Sequence, residues 1–207
     1  MNILVIGAHP DDMEFGCGGT LLKLADKGCA MNLLVMTQGG AGGDEQTRVQ
    51  EQLSAAKMIG ANLMWGGFED TNLPISREII RIIETAIIRV RPDMVFCHYP
   101  QDTHQDHRQI GTAALSAARG VRSFLFYEGP SSMDFSPSVF TDIGNELPRK
   151  LELLKCHRSQ VDKTNIPHLS ILESAQSTAI YRGMQNRVKF AEGFMPHRLA
   201  LDHIIGL

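Results

Sequence analysis

Two short runs of this sequence concentrate the residue types that hold metals and move protons. One is His9-Pro10-Asp11-Asp12 with Glu14; the other is Asp102-Thr103-His104-Gln105-Asp106-His107. Catalytic zinc takes three protein ligands of histidine and carboxylate type and keeps a fourth position for water, and His9, Asp12 and His107 would supply such a set. Zn2+ is the expected ion, although Fe2+ suits the same ligands. Coordination lowers the pKa of a water to roughly 7, and a second group must accept its proton. Asp11, next to a ligand yet free to face the water, fits that task of general base.

Two plainer readings compete. Aspartates after a strand are often helix caps, and histidines in loops are often only solvated; the recurrence of two such clusters, each directly after an apolar run, weighs against this. A glycine-rich dinucleotide site is the other, since Gly16, Gly18 and Gly19 follow the first apolar run. It is disfavoured because His9, Asp11 and Asp12 would set carboxylates where a pyrophosphate must lie.

The elements that must position these clusters are legible as alternating strands and helices. Asn2 to Gly7 is a nearly continuous apolar run, as expected of a strand buried on both faces of a parallel sheet. A loop from Ala8 to about Met13 follows, then a helix from Thr20 to Lys27 closed by Gly28. Met31 to Thr37 repeats the strand pattern, and a helix from about Glu45 to Ile59 ends at Gly60. Leu63 to Trp65 is a short strand, Ser76 caps a helix from Arg77 to Val90, and Pro92 prevents its extension. Met94 to His98 is the next strand, Arg108 to Ala118 a helix, and Ser123 to Tyr127 another strand. Gly129 to Pro148 is rich in Gly, Pro and Ser, with a short strand at Ser138 to Ile143, and is expected to be a surface excursion near the site. Helices at Arg149 to His157 and Leu169 to Phe190 follow. The pattern predicts an α/β fold: a Rossmann-like, doubly wound, mostly parallel sheet in a three-layer αβα arrangement, as a single domain over residues 1–207. In such sheets ligands bind where loops leave the carboxyl ends of the strands, which is where both clusters fall.

Composition narrows the partners. The 207 residues carry a formal net charge of −3 with no run of basic residues, so neither nucleic acid nor an anionic membrane surface is expected to bind. The apolar stretch at Ile3 to Ala8 is short and followed at once by His9, Asp11 and Asp12, unlike a signal peptide. No window approaches a membrane span. Cys17, Cys29, Cys97 and Cys156 form no Cys-x-x-Cys pair, the pattern of reduced thiols in a cytoplasmic protein.

The run Ala8 to Glu14 with Gly16-Cys17-Gly18-Gly19-Thr20, and the later Asp102 to His107, resemble the two signature motifs of the LmbE-like (PIG-L) zinc-dependent N-deacetylases. Lesser marks resemble the family in the same order: Thr37 with the glycines after it, Arg48-x-x-Glu51, His157-x-Ser159-Gln160, Arg182-Gly183 and Phe190 to Phe194. The resemblance implies His9, Asp12 and His107 as metal ligands and Asp11 as base. It also implies that His104 stabilises the oxyanion or protonates the leaving amine, that Asp106 orients His104 or a neighbouring histidine, and that Arg48 touches the substrate's polar groups. His157, Ser159, Gln160 and Glu192 are expected to be structural. His98, His168, His197 and His203 match no ligand motif and are expected at the surface or in packing.

By the same resemblance the substrate would be a small N-acetylated amino sugar of N-acetylglucosamine type, or its conjugate, hydrolysed to free amine and acetate. Cleavage of a larger amide such as a thiol conjugate is an alternative, and a non-catalytic sugar-binding or metal-storing module is a further one. The apolar tail Met195 to Leu207 should either pack on its own core or cover a neighbouring subunit. The family's trimers and hexamers make a homo-oligomer the expectation.

Overall fold

The computed structural model describes residues 1–74 and 76–202. Asn2–Gly7 (β1), Ala30–Thr37 (β2), Asn62–Phe68 (β3), Met94–His98 (β4) and Ser123–Tyr127 (β5) pair in parallel in the order β3-β2-β1-β4-β5. Val139–Asp142 (β6) and Ala191–Arg198 (β7) extend this sheet to seven strands, with β7 between β5 and β6 and antiparallel to both. The helices are Asp12–Asp26 (α1), Glu45–Ile59 (α2), Arg77–Val90 (α3), Gln105–Ala117 (α4), Leu147–Lys155 (α5) and Ile171–Asn186 (α6).

Because side chains alternate along a strand, β1 feeds two cores. Ile3 and Val5 pack with Met13, Cys17, Leu21 and Leu22 of α1, Ala55 and Ile59 of α2, and Leu153 of α5. Leu4 and Ile6 pack with Ile79 and Ile83 of α3 and Ile110 and Ala114 of α4. Helices therefore cover both faces, as expected of a doubly wound α/β fold. Full burial of each such aliphatic side chain contributes about 1.5–3 kcal/mol, and both faces of β1 gain it.

This winding positions the site. The strand after β1 in space is β2 on one side and β4 on the other, and α1 and α4 leave for opposite faces. The loops after β1 and β4 therefore diverge and open a crevice at the carboxyl ends of the strands.

Three segments differ from the expectation. The helix expected at Thr20 begins at Asp12. Gly16 and Gly19 lie within it, and a Cβ on Gly16 would lie 2.2 Å from Tyr127 Cδ2, and one on Gly19 would lie 2.8 Å from Ile143 Cγ2. Close packing of α1 against β5 and against Ile143, just after β6, outweighs the roughly 1 kcal/mol helical cost of each glycine. The helix expected to reach Phe190 ends at Asn186, where Arg187 turns to φ 60° and the Val188 N–H bonds to Gly183 O.

The third is the segment from Ala191, which supplies β7. Met195 pairs with Phe126, Leu199 packs against the core, and the Ala200 N–H bonds to Ser123 Oγ. The described part of the tail thus docks largely on its own sheet, leaving Leu201 exposed; residues 203–207, including His203, lie outside the described residues. Among the described residues no helix is long and apolar enough to cross a membrane.

Candidate metal and catalytic site

Asp12 opens α1, and its carboxylate folds back over the loop that precedes it. Oδ2 accepts the N–H groups of His9 (2.7 Å) and Ala8 (3.1 Å), so the first turn of the helix holds the loop in place. The same carboxylate stands between two imidazoles: His9 Nδ1 is 3.3 Å from Oδ2 and His107 Nε2 is 3.4 Å from Oδ1. One ligand atom from each of His9, Asp12 and His107 can lie within 4.8 Å of the others, a spacing suited to a shared ion. His9, His104 and Asp106 satisfy the same spacing.

Carboxylates surround the far side of both imidazoles. His9 Nε2 lies 2.9 Å from Asp70 Oδ1 and 3.1 Å from Asp106 Oδ2. His107 Nδ1 lies 3.3 Å from Asp102 Oδ1. Asp102 is fixed in turn by the His104 N–H (2.8 Å) and the hydroxyls of Ser131 (2.6 Å) and Ser132 (2.9 Å). A metal-ligating histidine almost always gives its other ring nitrogen to a carboxylate, carbonyl or water, and both histidines have that environment.

The electrostatics favour a cation. Burial opposes charge on His9, but the Asp12 charge and contacts with Asp106, Asp12 and Asp70 raise its pKa well above the usual imidazole range. Burial likewise opposes charge on His107, yet Asp12 and Asp102 raise it to about 9. Burial would raise the Asp12 carboxyl, and the charges of His107, His98 and His9 hold it well below the carboxylate range. A divalent ion bound here would replace those imidazole protons. The fit is supported by the donors themselves: His107 Nε2, buried and 3.4 Å from Asp12 Oδ1, has no partner in hydrogen-bond geometry. The residues present therefore fit a divalent ion of zinc or iron type.

Asp11 sits beside this set. Burial and the adjacent Asp12 charge raise its pKa to about 6, with Arg48 pulling the other way. His104 caps α4 by accepting the Asp106 N–H on Nδ1 (3.2 Å). Its ring stands 4.7 Å from that of His9 and 4.6 Å from that of His107, centroid to centroid. Asp106, wholly buried, also accepts the Thr71 N–H at 2.9 Å. Arg48 is buried as well: Nη1 donates to Gly39 O, Nη2 to Pro10 O, and Nη2 is 3.3 Å from Asp11 Oδ2. All the expected site residues except Asp106 line one cavity of about 420 Å³, together with Asp70, Thr71, Pro130 and Ser131. That size is within the roughly 300–1,000 Å³ of small-molecule sites.

Three participants carried no role in the sequence reading. Asp70 follows β3, and its position after a parallel strand was the available signal. Asp102 lay inside the second cluster without an assignment. His98, expected to have only a surface or packing role, ends β4 fully buried. Its Nε2 is 3.0 Å from Asp12 Oδ2, and its ring stacks on His107 with centroids 4.0 Å apart. Burial and the His107 charge lower it to about 4, so it supports Asp12 as a neutral imidazole.

Residues 4–118 match the model of a family described as PIG-L: GlcNAc-PI de-N-acetylase. This chain belongs to the PIG-L family. This PIG-L chain is 36% identical over 167 residues to the uncharacterized deacetylase YaiS of Escherichia coli, covering 76% of this chain and 90% of that protein. It is 29% identical over 240 residues to the diacetylchitobiose deacetylase of Thermococcus kodakarensis, covering 98% and 88%. The fold superposes on N,N'-diacetylchitobiose deacetylase from Pyrococcus horikoshii, in complex with its inhibitor MPG, with a TM-score of 0.82 and 25% identity over 94% of this chain and 82% of that one.

Proposed function

We propose that this PIG-L chain is a metal-dependent hydrolase that removes the N-acetyl group from an N-acetylglucosamine-type amino sugar or its conjugate, releasing the free amine and acetate. The observation that carries the reading is the carboxylate-backed set of His9, Asp12 and His107 with Asp11 beside it in one cavity. The substrate class is supported by the relatives named for diacetylchitobiose.

When bound by His9, Asp12 and His107, a divalent ion supplies Lewis acidity to the amide carbonyl and makes a water in the cavity more acidic. Asp11 accepts the proton that this water loses as its oxygen bonds to the carbonyl carbon, and it returns the proton to the nitrogen as the C–N bond breaks. His104 has one tautomer open to it as a donor. Its Nδ1 accepts the Asp106 N–H, so the ring proton lies on Nε2 and is available to the carbonyl oxygen as negative charge builds there. Asp106 keeps His9 in orientation through Nε2, and Asp102 does the same for His107. Arg48 borders the cavity with its charge, where polar groups of the substrate pass.

Acetate release across a panel of acetylated amino sugars, free and conjugated, tests this reading with metal content measured on the same samples. At least one N-acetylglucosamine-type compound is expected to turn over, with activity lost to a chelator and restored by added Zn2+ or Fe2+. Fully metallated protein that releases acetate from none of them would instead favour the non-catalytic sugar-binding module.

A further inference from the structure

Asp11 occupies a backbone conformation that residues with a Cβ rarely adopt, φ 98° and ψ −25°. Its side chain makes no capping hydrogen bond to α1. Such a conformation persists where the surroundings enforce it, and here two side chains of α2, one helical turn apart, do so. Arg48 Nη2 donates to Pro10 O at 2.7 Å, and Gln52 Oε1 accepts the Asp11 N–H at 3.3 Å. These are the two polar groups of one peptide unit, Pro10–Asp11. Gripping both sets its plane, and with it the direction in which the Asp11 carboxylate leaves the backbone.

Gln52 is itself held in one orientation. It is fully buried, and its Nε2 donates to Glu14 Oε1 at 2.7 Å. A carboxylate can only accept from the amide nitrogen, so the amide oxygen must face Asp11. Glu14 lies in the first turn of α1, so the grip closes a loop from α2 to α1 and back to the residue that caps it. Arg48 is anchored at its other end by donation from Nη1 to Gly39 O at 2.8 Å.

We infer that Arg48 and Gln52 form a clamp on the Pro10–Asp11 peptide, and that Gln52 is a positioning residue for hydrolysis, acting through Asp11. The inference rests on the reading of Asp11 as general base. It gives α2 a task distinct from contact with substrate: Gln52 does not border the cavity, yet its loss should misdirect the group that takes the proton.

A four-variant cycle of the metallated protein tests this: wild type, Asp11→Asn, Gln52→Met and the double variant, each with kcat, KM and metal content measured. Gln52→Met should lower kcat on the order of 10²-fold, the cost of a small misplacement, with KM and metal content within about twofold of wild type. In the Asp11→Asn background the same substitution should change kcat by no more than about twofold, because the group it positions is already disabled. An equal drop in both backgrounds, or an unchanged kcat in the single variant, overturns the clamp. Asp11→Asn with wild-type turnover overturns the base reading instead, and the clamp's catalytic role with it. Should Gln52→Met fail to fold, Gln52→Asn supplies the same cycle with an amide one methylene too short to reach both partners.

Discussion

Two buried clusters of charge grip the same helix and are built in opposite ways. In the middle of α1, Lys150 Nζ donates to Phe15 O and to Glu192 Oε1, both at 2.6 Å, while Glu192 accepts the N–H groups of Gly19 (2.9 Å) and Thr20 (2.7 Å). Neither side chain retains a buried polar atom without a partner. At the first turn, His9, Asp12, His107, Asp70 and Asp106 crowd together, and His107 Nε2 and Asp106 Oδ1 are buried without partners in hydrogen-bond geometry. Burying unpaired polar groups costs folding free energy. The first cluster is complete within the protein and ties α1 to α5 and β7; the second keeps polar atoms open, as suits a cluster that could hold an ion.

Breaking the second cluster should have the largest effect on chemistry. Replacing His9, Asp12 or His107 by Ala is expected to remove the divalent ion, read by elemental analysis, and to reduce acetate release to background. Cooperative unfolding should survive, because the cores on both faces of β1 do not include these side chains. Full metal content in all three variants would remove this ligand set from consideration and turn attention to His9, His104 and Asp106.

Breaking the first cluster should do the reverse. Glu192→Gln leaves Lys150 as a lone buried cation, a change that costs about 3–5 kcal/mol in comparable pairs. Denaturant unfolding should register that loss, while the folded fraction keeps its metal and its kcat. Adding Lys150→Met should recover part of the stability, since no uncompensated charge remains. A drop in metal content without a drop in stability would show that the two ends of α1 are not separable as described.

The contrast also marks what could be read from the sequence. β1, β2, β4 and β5 are apolar runs with sharp ends, so their carboxyl termini, and the two clusters that follow them, were visible at once. β7 was not. Its sequence, Ala191-Glu192-Gly193-Phe194-Met195-Pro196-His197-Arg198, mixes a carboxylate, a glycine and a proline. A proline inside a strand normally argues against one. Here β6 pairs only with residues 191–194 of β7, so Pro196 lies beyond that ladder, where one side of the strand needs no donor.

His98 escaped for a different reason. A histidine ending an apolar strand has the same sequence appearance whether it packs or supports a ligand, and only the register of β4 against β1 brings it to Asp12. Asp70 and Gln52 likewise become meaningful only through contacts with residues some 40 to 60 positions away.

The smallest expected effect concerns how the second cluster is held, and Asp102 isolates it. Asp102 contacts no candidate metal position directly; it stands 3.3 Å from His107 Nδ1 and is secured by Ser131 and Ser132 from the excursion after β5. Asn in its place keeps the size and one oxygen but loses the charge that makes His107 a more basic ligand. Outer carboxylates of this kind are worth about 10- to 100-fold in metal affinity, so Asp102→Asn should weaken binding by that factor in a competition titration against a chelator. Turnover at saturating metal should fall less than binding does, because Asp11 and His104 are untouched. An affinity equal to wild type would mean that His107 is oriented by packing against His98, whose ring stacks on it, and not by the carboxylate behind it.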